Sequence, residues 1–178
     1  LCINTGTAAY FIDNDIVALL AMKMVNHTLR YGNSKHSSVA YISYALILGA
    51  GLGRYEEAYR FGMLAMELNE KYDNADLKPR ILFIFGFLIS HWRKHYMRTI
   101  QLMERSYRVG IETGDINYAV FSAINIIQFR IKFGHNLDQV FEEMAGYQGF
   151  VMASKNEEFI YELIMSDRYI LSQKSRTR

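Results

Sequence analysis

Apolar positions recur along the chain at helical spacing, most clearly between Tyr55 and Lys71. Ala58, Gly62 and Ala65 fall there at i, i+4 and i+7. They make one narrow stripe of small residues on which a second helix can lie closely. Gly53 is suited to end a preceding helix. Glu56 and Glu57 fall in the first turn of the next one, where carboxylates meet the positive end of the helix dipole. The pattern predicts a helical hairpin over Ser37–Gly51 and Tyr55–Lys71.

The same unit can be followed along the chain. Tyr31-Gly32-Asn33, Tyr72-Asp73-Asn74 and Thr113-Gly114-Asp115 stand at a constant interval of 41 residues. Tyr55, Tyr96 and Leu137 keep that interval, as do Tyr59, Ile100 and Phe141, and Leu68, Val109 and Phe150. A fixed period that relates turns to turns and apolar positions to apolar positions marks a stack of helical hairpins. It predicts a single helical repeat domain over residues 1–178. A partial first hairpin occupies 1–31, with Val17, Ala21 and Met24 as its stripe and a helix from about 15 to 31. Hairpins follow at about 33–72, 74–113 and 115–154. Pro79 suits a first helical turn and Asp115 an N-cap. A terminal helix at about 157–172 carries Phe159, Leu163 and Ile170 on one side and is expected to cap the stack, with a frayed tail from Lys174.

The register also assigns faces. Ile42, Ala45, Leu46 and Gly49 should meet the second helix of their hairpin. Their counterparts are Phe83, Gly86, Phe87 and Ser90, then Ile124, Ile127, Gln128 and Ile131. Glycine and serine permit close approach and isoleucine does not, so helix spacing should vary along the stack. Gln128 is the awkward member, because a buried amide without a partner is costly.

With the register set, a family likeness appears. The motifs Tyr31-Gly32-Asn33-Ser34, Ala40-Tyr41, Gly53-Arg54-Tyr55, Phe61-Gly62-x-Leu64-Ala65, His91-Trp92-x-x-His95 and Gly110-x-x-Thr113-Gly114-Asp115-x-x-Tyr118-Ala119 occur in that order. The hairpin itself resembles the tetratricopeptide repeat, with a period longer than the usual ~34 residues. The ordered motifs resemble the helical region of very large multidomain signalling proteins. In those chains a serine/threonine-kinase-like domain and a signalling-type ATPase precede this region, and a GAF domain and often a histidine kinase follow it. The likeness spans roughly residues 20–172. It implies an all-α, tetratricopeptide-like right-handed superhelix that holds or restrains neighbouring domains. Arg54 stands where that turn would carry an acidic residue. The catalytic motifs of such proteins lie in other domains, so no catalytic residue carries over.

Composition narrows the rest. The chain has 178 residues, 51% hydrophobic, with 13 Tyr, 11 Phe and a single Pro, which suits helix throughout. A net charge of +2 is too small to suggest nucleic acid or an anionic membrane. The single cysteine, Cys2, excludes an internal disulfide and fits a reducing, cytoplasmic setting. Leu1 in place of methionine points to a piece of a longer chain. The uncharged run Ser37–Gly53 holds three glycines and three serines, so it reads as a buried helix rather than a membrane span.

Catalytic patterns are weak. His91 and His95, read at i and i+4 on one helix face, have metal-compatible spacing but no third ligand, so an aromatic–histidine cluster with Trp92 and Tyr96 is the expectation. The glycine run Gly49–Gly53 lacks the Lys-Ser/Thr of a phosphate loop. Glu142-Glu143 and Glu157-Glu158 read as solvated faces. No cofactor and no metal is expected. The surface with functional promise is the exposed side of the first helices: Ser43, Ile47, Ile84, Leu88, His91, Asn125, Phe129 and Lys132. It mixes apolar and polar groups as a helix or peptide groove does. The expected partners are other domains of the same chain or another protein. A ligand-sensing domain of a transcriptional regulator and a metal-dependent hydrolase using His91 and His95 are the rival readings.

Overall fold

The computed structural model describes residues 14–176, and every regular element among them is helical. The eight α-helices are α1 (Asn14–Tyr31), α2 (Ser37–Leu46), α3 (Tyr55–Lys71), α4 (Lys78–Phe83), α5 (Tyr96–Thr113), α6 (Ile116–Lys132), α7 (Leu137–Ala153) and α8 (Glu157–Arg176). They pack as antiparallel hairpins: α2 on α3, α4 on α5 and α6 on α7. The first helices also touch in succession, α2 to α4, α4 to α6 and α6 to α8. The earlier part of the first hairpin, and Cys2 with it, lie outside the described residues.

Turn chemistry sets the period. Gly32, Asp73, Gly114 and Lys155 all have positive φ, at 90°, 44°, 78° and 56°. They stand at the same interval of 41 residues, and glycine takes two of the four sites because it adopts this conformation without strain. The turns also bind one another. The Tyr72 hydroxyl donates to the Asn33 carbonyl at 2.8 Å, and the Asn74 amide donates to the Lys35 carbonyl at 2.9 Å. Within the hairpin α2–α3, Gly53 turns left-handed and the Arg54 N–H reaches back to the Leu48 carbonyl at 2.8 Å, closing the helix end.

Two first helices depart from α geometry. After α2 the backbone widens into π turns over Ile47–Gly51, and after α4 over Ile84–Ile89, followed by a 3-10 turn Ser90–Trp92. The helix α6 stays α throughout. In the first case the space is filled by an aromatic ring. A Cβ placed on Gly49 would lie 1.8 Å from the Trp92 indole, so the ring occupies the side-chain volume that glycine leaves empty. The glycine run before Tyr55 is thus a ring seat followed by a left-handed turn.

The small-residue stripe works as expected. Ala58 and Ala65 are fully buried, and a Cβ on Gly62 would meet the Phe85 ring at 2.5 Å. Phe85 of the next hairpin therefore packs directly on the α3 backbone. Gly86 is pressed by Leu102 and Thr99 of α5 in the same way, and Gly110 by Ala119 of α6. One buried cluster runs from Val25 through α2, α3 and α4 to Leu102, and a second joins α6, α7 and α8 through Ile124, Ile127, Val140, Met144 and Leu163. Gln128 is answered: its amide donates to the Glu162 carboxylate of α8 at 3.2 Å.

Three expectations need correction. The break Arg93–His95 separates the two histidines, so they do not share a helix face. His91 lies in the 3-10 turn, and His95 is the N-cap of α5, its Nδ1 accepting from the Met97 N–H at 3.3 Å. The aromatic cluster is likewise split. Trp92 turns to Tyr55, ring centroids 5.0 Å apart, whereas Tyr96 stacks on Phe133 at 4.0 Å. The tail does not fray at Lys174, because α8 continues to Arg176 and the Lys174 ammonium pairs with Asp138 at 2.5 Å.

Candidate interaction face

The exposed side of the first helices is built by three elements that touch side by side. Ser43 lies on α2 and Ile47 at the start of its π extension. Ile84 and Leu88 lie in the π extension of α4, with His91 just beyond. Asn125, Phe129 and Lys132 lie on α6. Helical periodicity turns their neighbours Ile42, Leu48, Phe85, Ile89, Ile124 and Ile126 fully inward. Six of the eight are half-buried, and His91 and Lys132 are exposed. Ile84 and Leu88 rest against the first core cluster. Phe129 meets Phe87 at 5.7 Å and Phe133 at 5.6 Å between ring centroids. The Asn125 amide donates to the Phe121 carbonyl of its own helix at 2.8 Å.

Electrostatics links α4 to α6 on this face. Partial desolvation holds the His91 imidazole below its ordinary pKa; a hydrogen bond to the Phe87 backbone acts against this, and the charge of Lys132 adds to it. His91 and Lys132 thus place an imidazole and a cation on the same face, close enough for the charge of one to act on the other. Among the described residues no group of three His, Cys, Asp or Glu could hold a metal, and no helix is long and apolar enough to cross a membrane.

Over 144 residues the chain is 29% identical to the hybrid signal transduction histidine kinase G of Dictyostelium discoideum. The match covers 80% of this chain and 4% of that protein. The chain is a helical segment related to part of a large hybrid histidine kinase signalling protein. No protein-family profile matches it, and no solved structure does.

Sequence reasoning did not find three features. The first is the pair of π segments, which carry Ile47, Ile84 and Leu88; π turns often mark functional positions in helices. Their hydrogen-bond shift leaves no residue signature. The second is an ion-pair bridge across three helices. Arg130 of α6 reaches Glu104 of α5 at 2.9 Å and Glu143 of α7 at 2.6 Å. Glu142 is exposed as expected, but Glu143 is not a solvated carboxylate. Desolvation raises its pKa, Arg130 opposes that, and Glu104 reinforces it. Tyr147, hydrogen-bonded to Glu143 at 3.5 Å, is pushed well above the ordinary phenol value by burial and by the two carboxylates. The third is a groove of about 600 Å³ between α6 and α8, lined by Gln128, Ile131, Tyr161, Met165 and Tyr169 among others. Its signal was in the 41-residue register, which extends onto α8.

Proposed function

We propose that the chain is a non-catalytic interaction segment of a multidomain signalling kinase, holding or restraining neighbouring domains through its first-helix face. The relationship to part of a hybrid histidine kinase is the observation that carries this reading. The face supports it: a row of half-buried aliphatic and aromatic groups, with His91 and Lys132 at its edge, suits a protein surface better than a small polar substrate. The tetratricopeptide-like, right-handed superhelical arrangement belongs to the same proposal. Left-handed turns at a constant interval and successive contacts between first helices favour it.

The binding energy should sit in a few groups, of which Leu88, His91 and Phe129 are the ones to test. Leu88→Ala and Phe129→Ala are each expected to weaken association with the adjacent domains about tenfold or more, or more than about 1.4 kcal/mol, while circular dichroism stays helical. Unfolding by either substitution would make these residues core of the stack. Unchanged association in both would place the working surface elsewhere.

A further inference from the structure

The helix α8 repeats the register of α2, α4 and α6, yet its packing positions are bare. Residues 38, 42 and 45 of α2 correspond to 79 and 83 of α4 and 86 of its π extension, to 120, 124 and 127 of α6, and to 161, 165 and 168 of α8. In the first three helices all nine side chains or glycines are buried. The second helix of each hairpin covers them. Phe83 packs with Ile100 and Met103 of α5, Gly86 lies against Leu102, and the Pro79 carbonyl accepts from Ser106 at 2.8 Å. Val120, Ile124 and Ile127 pack with Val140 and Met144 of α7. On α8 the same positions are Tyr161, 65% exposed, Met165, 64% exposed, and exposed Arg168. The inner side of α8 is conventional, with Phe159, Leu163 and Ile170 buried. A terminating helix would present a polar outer face. This one presents a tyrosine and a methionine at helical spacing, continuous with the groove against α6.

We propose that Tyr161, Met165 and Arg168 form the seat of a second helix, supplied by the stretch of the natural protein that follows Arg178, so that α8 opens a further hairpin rather than closing the stack. Three established interfaces in the same register argue for this occupant. The second helices start at Tyr55, Tyr96 and Leu137, after a gap of three or four residues from the end of the preceding helical stretch, so their next counterpart would start just past Arg178. Its chemistry is also specified. It lies antiparallel to α8 with an apolar stripe on Tyr161 and Met165. It carries a carboxylate or carbonyl opposite Arg168, because a guanidinium covered at that position must be paired. The seat is separate from the first-helix face, so its loss would leave the proposed function standing.

Thiol accessibility tests this in the natural full-length protein, with Cys2→Ser as background. Met165→Cys should react with a maleimide about 100-fold more slowly in the full-length protein than in the 178-residue chain, since covered thiols react only through opening of the helix. Glu142→Cys serves as control; its counterparts Arg60 and Gln101 are exposed, and it should react equally fast in both. Protection at residue 165 should persist on dilution and in a chain cut about 40 residues beyond Arg178. Equal reactivity in the two proteins would overturn the proposal. So would protection lost on dilution, which would make the occupant a second copy, or protection that needs more distant domains.

Discussion

The two halves of the molecule use the same residue for opposite ends. In α3, in the extension of α4 and in α5, the helical glycines Gly62, Gly86 and Gly110 lie under Phe85, Leu102 and Ala119, so close that a Cβ would meet these groups at 3.0 Å or less. In α7, Gly146 and Gly149 have nothing within 4 Å of an added Cβ and are exposed. Where glycine is covered, helices approach until a ring lies on backbone. Where it is not, the hairpin α6–α7 is held by isoleucine and methionine and by the Arg130 bridge to Glu104 and Glu143. Composition alone would score these glycines alike, and only the register tells them apart.

The largest expected effect breaks the close-packed half. Gly62→Leu should cost about 3 kcal/mol in denaturant melts, because the new side chain has no volume beside Phe85. The same substitution at Gly146 meets nothing and should not destabilise, gaining up to about 0.8 kcal/mol from helix propensity. Equal costs would mean that the two halves pack alike.

A smaller effect sharpens the electrostatic side of the contrast. Glu143→Gln should change stability by less than about 1 kcal/mol at neutral pH, since Arg130 keeps Glu104 and the neutral amide avoids desolvating a carboxylate. Its pH dependence has a definite sign. The folded chain raises the Glu143 pKa, so it holds the proton more readily than the unfolded chain does. That contribution is complete below the unfolded carboxylate value and is lost as pH rises through the raised one. The stability of the parent relative to the Gln variant should therefore fall as pH rises from the ordinary carboxylate value through the raised one. A parent that gains on the variant over that range would contradict the desolvated carboxylate.

The smallest effect has the opposite direction. Gly146→Ala should stabilise by about 0.5–1 kcal/mol, because an exposed helical glycine only adds disorder to the unfolded chain. A loss at Gly146 would show a contact there.

The helices and hairpins were legible because local chemistry writes them. Gly32, Asp73 and Gly114 at constant intervals mark the left-handed turns, and Ala58, Gly62 and Ala65 announce a buried stripe. What was not legible depends on partners far away in sequence. The Gln128 amide is satisfied by Glu162, and Glu143 is desolvated by a bridge from Arg130. The His91–His95 spacing misled because the helix ends between them, at a place without proline or glycine to announce it. For the candidate face, the register placed Ser43, Ile47, Ile84, Leu88, His91, Asn125, Phe129 and Lys132 at partly or fully exposed positions on helices that touch. It could not foresee the π widening that sets the pitch of Ile47, Ile84 and Leu88.

The central claim is that this face engages other protein, and side-chain footprinting reads it most directly. The natural full-length protein and the 178-residue chain would be labelled with a diffusing carbene and compared residue by residue. The account predicts that Ile47, Leu88 and Phe129 lose most of their labelling in the full-length protein, while exposed second-helix positions such as Glu67 and Gln148 keep theirs. Unchanged labelling at Ile47, Leu88 and Phe129, with protection on the second helices instead, would contradict it.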